Sequence, residues 1–102
     1  RQLDGSRSPF DQVNAIREAV GDKLEIILDG GVRRGTHVLK ALAAGATACS
    51  FGKMFLFALS AGGQPGVERL LQNMHDEINR NMVLMGCKTL KELDASKLIY
   101  RK

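Results

Sequence analysis

The sequence predicts an α/β fold that forms the C-terminal portion of a (β/α)8 TIM barrel, about strands 7 and 8 with their helices. Two short apolar segments, residues 24–28 and 47–51, flank a helical segment, which is the pattern of a parallel βαβ unit. Each strand ends on glycine followed by a cation, and the loops after strands 7 and 8 of such barrels often build a phosphate site. Because two strands cannot make a satisfactory parallel sheet alone, we expect part of a larger fold.

The predicted order of elements is helix, strand, helix, strand, helix, helix. The first helix begins with Ser8 as N-cap and Pro9 in its first turn, and it ends at Gly21. A second helix spans about residues 36–44, with Thr36 as its cap and Gly45 as its stop. The strands of residues 24–28 and 47–51 precede and follow this second helix, and we expect helices to cover both faces of the sheet.

The C-terminal half is predicted to be helical. The apolar run 54–61 is typical of a helix packed inside a larger body, residues 62–66 form a turn, and an amphipathic helix spans about 66–85. The apolar stripe of that helix comprises Val67, Leu70, Leu71, Met74, Ile78, Met82 and Met85. Thr89 to Glu92 has the form of a capping box, which predicts a short final helix.

The loop after the first strand has the composition of an anion site. Gly30 and Gly31 permit backbone conformations closed to other residues and bring N–H groups close to a ligand. Arg33 and Arg34 add positive charge with forked donors suited to phosphate, and the following helix N-terminus also favours anions. An ordinary βα turn with solvated arginines has the same local sequence, so the loop alone leaves both interpretations open.

Composition limits the classes of partner. The chain has 102 residues, of which 44% are hydrophobic and 25% charged, as in a globular domain without internal boundaries over 1–102. Its net charge of +4 is scattered and lacks interleaved aromatics, so we expect no nucleic-acid binding. Cys49 and Cys87 have no metal-ligand spacing; we expect free thiols and no metal site.

Several segments together resemble one family. Residues 1–4 (RQLD), 28–36 (LDGGVRRGT), 40–46 (KALAAGA) and 51–53 (FGK) resemble the C-terminal part of the FMN-dependent α-hydroxy acid oxidases and dehydrogenases. This is the family of glycolate oxidase, flavin L-lactate dehydrogenase and flavocytochrome b2. The resemblance covers essentially the whole chain but only the last quarter to third of a full family member, so we expect a piece of a longer protein.

The resemblance implies specific site residues. Arg1 matches the arginine that binds the substrate carboxylate, and the general-base histidine of the family motif would precede it. Asp29, Gly30, Gly31 and Arg33 match the FMN-binding loop after strand 7. Gly52 and Lys53 match the loop after strand 8, where the family usually has Gly-Arg; lysine keeps the charge but loses the bidentate fork.

The resemblance also implies an activity. We expect FMN-dependent oxidation of a small L-2-hydroxy acid, lactate-like or glycolate-like, to the 2-oxo acid by the parent protein. The 102-residue chain alone is expected to be inactive, because it lacks the histidine. The sequence leaves three alternatives for the electron acceptor: oxygen, a quinone or a cytochrome. We expect a homo-oligomer, since tetramers are common in the family, located in the cytoplasm or at the inner face of a membrane.

Two other interpretations of the sequence are open. The first is a different barrel enzyme whose phosphate site is built in the same way, such as a flavin-type isopentenyl diphosphate isomerase or an IMP dehydrogenase relative. The segment Arg1-Gln2-Leu3-Asp4 argues against it. A non-catalytic barrel fragment that binds a phosphate ligand is the second alternative. His37 and His75 are expected to be surface or packing residues, and Arg34 to bind phosphate or form a salt bridge or intersubunit contact.

Overall fold

Two parallel strands lie at the centre of the computed structural model, which describes residues 3–100. Strand β1 is Ile27–Asp29 and strand β2 is Ala48–Ser50, and they pair in parallel with Asp29 opposite Ser50. Helix α2, Gly35–Ala43, connects them. The predicted parallel βαβ unit is therefore confirmed, although both strands are shorter than the segments 24–28 and 47–51.

The first helix has the predicted bounds. Helix α1 is Pro9–Val20, and the Ser8 Oγ accepts a hydrogen bond from the Asp11 N–H at 3.2 Å. Gly21 follows its last turn with a positive φ of 55°. A short 3₁₀ turn, Gly21–Lys23, then leads towards β1. Local capping signals therefore mark both ends of this helix.

The predicted turn at 62–66 is smaller in the structure. Helix α3 is Lys53–Leu84, with non-helical backbone angles inside it only at Gly62 and Gly63. Helical geometry resumes before residue 66, because Pro65 is compatible with the first turn of a helix, where its missing N–H would have no partner. The predicted pair of helices is therefore correct, and the break between them is two residues long.

The predicted final helix is wrong. The chain after α3 forms two 3₁₀ turns, Leu90–Glu92 and Ala95–Lys97. The predicted capping box does not form: Glu92 Oε2 accepts from the Lys88 N–H at 3.3 Å, one residue before Thr89, and Thr89 forms no side-chain cap. A single turn does not repay the cost of nucleating an α-helix.

The core lies between the helices and one face of the two strands. Val13 of α1, Leu28 of β1 and Met74 of α3 belong to one buried cluster. A second cluster joins Leu39 of α2 to Cys87. The remaining buried members of the two clusters are Val32, Ala41, Ala44 and Ala46 in the first and Ala43 and Leu93 in the second.

The sheet is covered on one face only, which corrects the prediction of a strand buried on both faces. Leu24 and Ile27 are 62% and 64% exposed, while Leu28 is buried. The described residues supply two strands and helices for one face, so alternate side chains of β1 face solvent.

Two members of the predicted apolar stripe, Leu71 in α3 and Met85 just after its last residue, are exposed. Leu71 is 51% exposed and Met85 is 37% exposed. In residues 3–100, no helix combines the length and the apolar character that crossing a membrane requires.

Candidate functional site

One cavity collects the cofactor-site residues that the sequence singles out. Asp29, Gly30, Gly31 and Arg33 line it from the loop after β1, and Gly52 and Lys53 line it from the turn after β2. Its volume is about 360 Å³, and its remaining lining residues are Val32, Phe51 and Met54. The register of the sheet explains this convergence, because Asp29 and Ser50 end their strands side by side.

The backbone of the first loop depends on glycine. Gly30 has a φ of 100° and Gly31 a φ of 76°, both in the region that residues with a Cβ rarely adopt. A Cβ at Gly31 or Gly52 would meet no atom within 4 Å, so the space beside these residues is open. The glycines therefore turn the chain sharply and leave its main chain accessible from the cavity.

The charged side chains of the cavity are available to a ligand. Within the described part of the chain, Asp29, Arg33 and Lys53 form no side-chain hydrogen bond or salt bridge, and all three are exposed. Two cations and one carboxylate give the cavity a formal charge of +1. Helix α3 begins at Lys53 with no side-chain cap and no acidic residue in its first turn, so its positive end adds to this field.

Thr36 is not the cap of α2, contrary to the prediction. The helix begins at Gly35 with Arg34 in the N-cap position, and the Glu77 carboxylate from α3 takes over the capping function. Glu77 accepts hydrogen bonds from the Gly35 N–H at 2.9 Å, from Thr36 Oγ1 at 3.0 Å and from Arg34 Nε at 2.9 Å. Sequence analysis missed Glu77, which stands 42 positions after Gly35, because no local signal marks it.

The Arg34–Glu77 pair predicts a pH-dependent contribution to stability. Hydrogen bonding from Arg34 holds the pKa of Glu77 below its ordinary value, with Thr36 and the Gly35 N–H acting in the same direction against partial burial. The contribution is therefore present in full above about pH 4.3 and is lost as the pH falls through the lowered pKa. We expect Glu77→Gln to lower the urea midpoint at pH 7, and the difference from wild type to shrink below about pH 4. A difference that stays constant down to pH 3 would contradict this assignment.

The two histidines have ordinary roles in this region. His37 Nδ1 accepts a hydrogen bond from the Arg33 N–H at 3.2 Å, so it holds the loop backbone without lining the charged cavity. It lines a neighbouring, mainly apolar cavity of about 460 Å³ instead. His75 is exposed on α3, where its ring contacts Asn79 one helical turn later.

The cysteines are free, as predicted. Cys87 is buried and Cys49 is half-buried in β2. Burial raises the pKa of the Cys49 thiol, which keeps it protonated at neutral pH and poorly nucleophilic. Neither residue is among those that line the charged cavity. Arg1, the predicted ligand of the substrate carboxylate, lies outside the described residues, and its role stays a prediction.

Sequence comparison links the chain to flavin enzymes. The family model described as FMN-dependent dehydrogenase matches residues 1–100. An L-lactate oxidase of Nostoc sp. is 45% identical over 96 residues, which are 94% of this chain and 26% of the relative. The 2-hydroxyacid oxidase 1 of Homo sapiens is 44% identical over 102 residues, 100% of this chain and 27% of that protein.

Solved structures agree with the sequence comparison. A flavocytochrome b2 variant with sulfite bound superposes with a TM-score of 0.87 at 44% identity, over 94% of this chain and 26% of that chain. A mandelate oxidase with benzoylformic acid gives 0.86 at 41% identity, over 89% of this chain and 27% of the other. The chain thus spans about a quarter of the length of its relatives. With residues 1–100 matched, it belongs to the family of FMN-dependent dehydrogenases, whose cofactor is FMN.

Proposed function

We propose that the charged cavity binds the phosphate of FMN. Arg33 and Lys53 supply the positive charge, the Gly30-Gly31 turn supplies main-chain N–H groups, and the start of α3 supplies the positive end of a helix dipole. The convergence of these groups from two neighbouring strand ends is the observation that carries the proposal.

The residues present fit a phosphate monoester. Both cations are without protein partners in the described residues, and the cavity volume of about 360 Å³ leaves room for the phosphate and part of the chain that bears it. Asp29 would repel the phosphate itself, so it suits the hydroxyl groups of the ribityl chain, which donate hydrogen bonds to a carboxylate. Lys53 acts as a point charge, and Arg33 provides a planar fork for two phosphate oxygens.

We further propose that the whole protein oxidises an L-2-hydroxy acid, lactate-like or glycolate-like, to the 2-oxo acid. When bound, FMN supplies the ring that accepts the two electrons released by the substrate. The segment described here would anchor and orient the cofactor, which is how a protein turns cofactor chemistry into a specific reaction. The names of the relatives, L-lactate oxidase and 2-hydroxyacid oxidase 1, support this substrate class.

In this proposal the chain forms strands 7 and 8 of a (β/α)8 barrel within one undivided domain. The proposed role of Arg1 is to hold the substrate carboxylate. A histidine outside this sequence would act as general base. Oxygen, a quinone or a cytochrome would then reoxidise the flavin, and a cytoplasmic homo-oligomer remains the expected form.

Arg33→Ala is the first test of the phosphate site. In the protein expressed from its complete reading frame, we expect the Kd of the apoprotein for FMN to rise about 10- to 100-fold, because a charge-assisted hydrogen-bond pair is lost. Affinity for riboflavin, which lacks the phosphate, should not change. Fluorescence titration of both flavins measures the two affinities.

Arg69→Ala is the matched control for this experiment. Arg69 is an exposed arginine of α3 that does not line the cavity. Its removal should leave both affinities unchanged. If Arg33→Ala weakened the binding of FMN and of riboflavin equally, or weakened neither, the cavity would not be the phosphate site.

The proposed reaction is tested separately. Anaerobic addition of L-lactate or glycolate should bleach the flavin absorbance, and the absence of bleaching with any 2-hydroxy acid would contradict the proposed activity.

A further inference from the structure

Two adjacent arginines in the loop after β1 have different environments. Arg33 lines the charged cavity, and its guanidinium has no protein partner within residues 3–100. Arg34 instead pairs with Glu77, with its Nε 2.9 Å from Oε1 and its Nη2 contacting the same oxygen. The sequence makes the two arginines equivalent candidates for phosphate, and the structure separates them.

Glu77 contacts three consecutive residues. One carboxylate oxygen accepts from Arg34 and from Thr36 Oγ1, and the other accepts from the Gly35 N–H. Its side chain is 17% exposed, so these bonds are partly shielded from water. Asn81, one turn further along α3, donates to Thr36 Oγ1 at 2.9 Å and closes the network.

This network holds Arg34 and Gly35, the two residues that follow Arg33, in place. The start of α2 is tied to α3 through Glu77, and the Arg33 N–H is tied to His37 Nδ1. The backbone on the C-terminal side of Arg33 is therefore held, while its side chain stays free towards the cavity. A preorganised cation binds an anion without the cost of ordering the loop at the moment of binding.

We propose that Glu77 is a positioning residue for the FMN phosphate: it holds Arg34 away from the ligand and orients the loop so that Arg33 alone meets the phosphate from this segment. The proposal rests on the phosphate site proposed above. Glu77 does not line the cavity and acts through Arg33. It lies in the C-terminal half of α3, far along the helix from Lys53 at its start, so it links the packing of α3 to cofactor affinity.

The test measures the phosphate contribution to binding, defined as Kd for riboflavin divided by Kd for FMN, in the protein expressed from its complete reading frame. We expect Glu77→Gln to lower this ratio about tenfold, because small misplacement of a binding group weakens its contact strongly. A merely structural role would weaken both flavins equally and leave the ratio unchanged. Thr36→Val removes the two hydrogen bonds of the Thr36 hydroxyl, to Glu77 and from Asn81, and leaves the Glu77 carboxylate in place. It provides a second variant should Glu77→Gln not fold, and it should lower the ratio in the same direction.

A double mutant connects Glu77 to Arg33. If Glu77 acts through Arg33, the ratio in the Arg33→Ala/Glu77→Gln protein should equal that of Arg33→Ala alone. Glu68→Gln is the matched control on the same helix. Within residues 3–100 the Glu68 carboxylate accepts from Gln64 alone, so its loss should leave the ratio unchanged.

The measured ratios distinguish a wrong role for Glu77 from a wrong location of the phosphate site. An unchanged ratio in Glu77→Gln and Thr36→Val, with a lowered ratio in Arg33→Ala, overturns the positioning role alone. Losses that multiply in the double mutant overturn it as well. An unchanged ratio in Arg33→Ala overturns the phosphate site and this inference together.

Discussion

Gly35→Ala should destabilise the protein by about 2 kcal/mol, because α2 and α3 meet at this residue without space for a side chain. A Cβ at Gly35 would lie 2.6 Å from the Met74 carbonyl oxygen and 2.9 Å from the Ile78 N. Both are backbone atoms of α3, so relief requires the two helices to separate. Separation would also stretch the bond from the Gly35 N–H to Glu77.

The opposing effect at this position is smaller. Alanine is a better helix former than glycine by about 1 kcal/mol at most. The overpacking cost of about 1 to 3 kcal/mol is expected near its upper end, because backbone atoms cannot rotate away as a side chain can. The net effect is therefore a loss, measured as a lower urea midpoint with an unchanged m-value.

Gly52→Ala is the matched control for stability. Gly52 has a φ of −101° and nothing within 4 Å of an added Cβ, so alanine meets no obstacle there. We expect its midpoint to lie within experimental error of wild type. Equal midpoints for Gly35→Ala and wild type would show that the helices have room to adjust, contrary to the geometry described here.

Arg17→Ala should cost a similar amount, about 2 to 3 kcal/mol, through lost hydrogen bonds. The guanidinium of Arg17 donates to the carbonyl oxygens of Gly45 at 2.8 Å, Gly21 at 2.6 Å and Leu24 at 3.1 Å, and to Thr47 Oγ1 at 3.1 Å. These acceptors lie before β1 and before β2, so one side chain of α1 ties both strand entrances together. Several of these groups face solvent, which limits the loss per bond.

The variant Arg17→Lys separates the contribution of hydrogen-bond geometry from that of positive charge. Arg17→Lys keeps the charge but replaces a planar fork by a compact ammonium group, which cannot reach all four acceptors. We expect it to recover less than half of the lost stability, whereas Arg69→Ala, which removes an exposed arginine from α3, should change the midpoint little. Full recovery by lysine would mean that charge alone, and not the hydrogen-bond geometry, accounts for the effect.

Much of the candidate cofactor site could be predicted from the sequence. Glycines and cations in the loops after two apolar strands are local signals, and parallel pairing brings the ends of such strands to the same edge of the sheet. Asp29, Arg33 and Lys53 accordingly line one cavity. Their part in binding FMN stays a prediction until the affinities are measured.

Local pattern misled where long-range contacts compete with it. Thr36 has the composition of a helix cap, yet its hydroxyl bonds to Glu77 and Asn81, because a full carboxylate from α3 is a stronger acceptor for the Gly35 N–H. Thr89 likewise begins what a capping box predicts to be a helix, and only a 3₁₀ turn forms. In both cases the outcome depends on contacts with residues outside the local motif.

Local sequence predicts the α/β order of the elements from α1 to α3, the first helix with its Ser8 cap, and the two glycine-and-cation loops, because each depends on residues within a few positions of one another. Tertiary contacts decide which arginine lines the cavity, that Glu77 caps α2 and that Arg17 connects the two strand entrances. The contacts of Arg17 with Gly45 and Thr47 and those of Glu77 with Arg34 and Gly35 join residues 28 to 43 positions apart, and periodicity and capping signals carry no information over that distance.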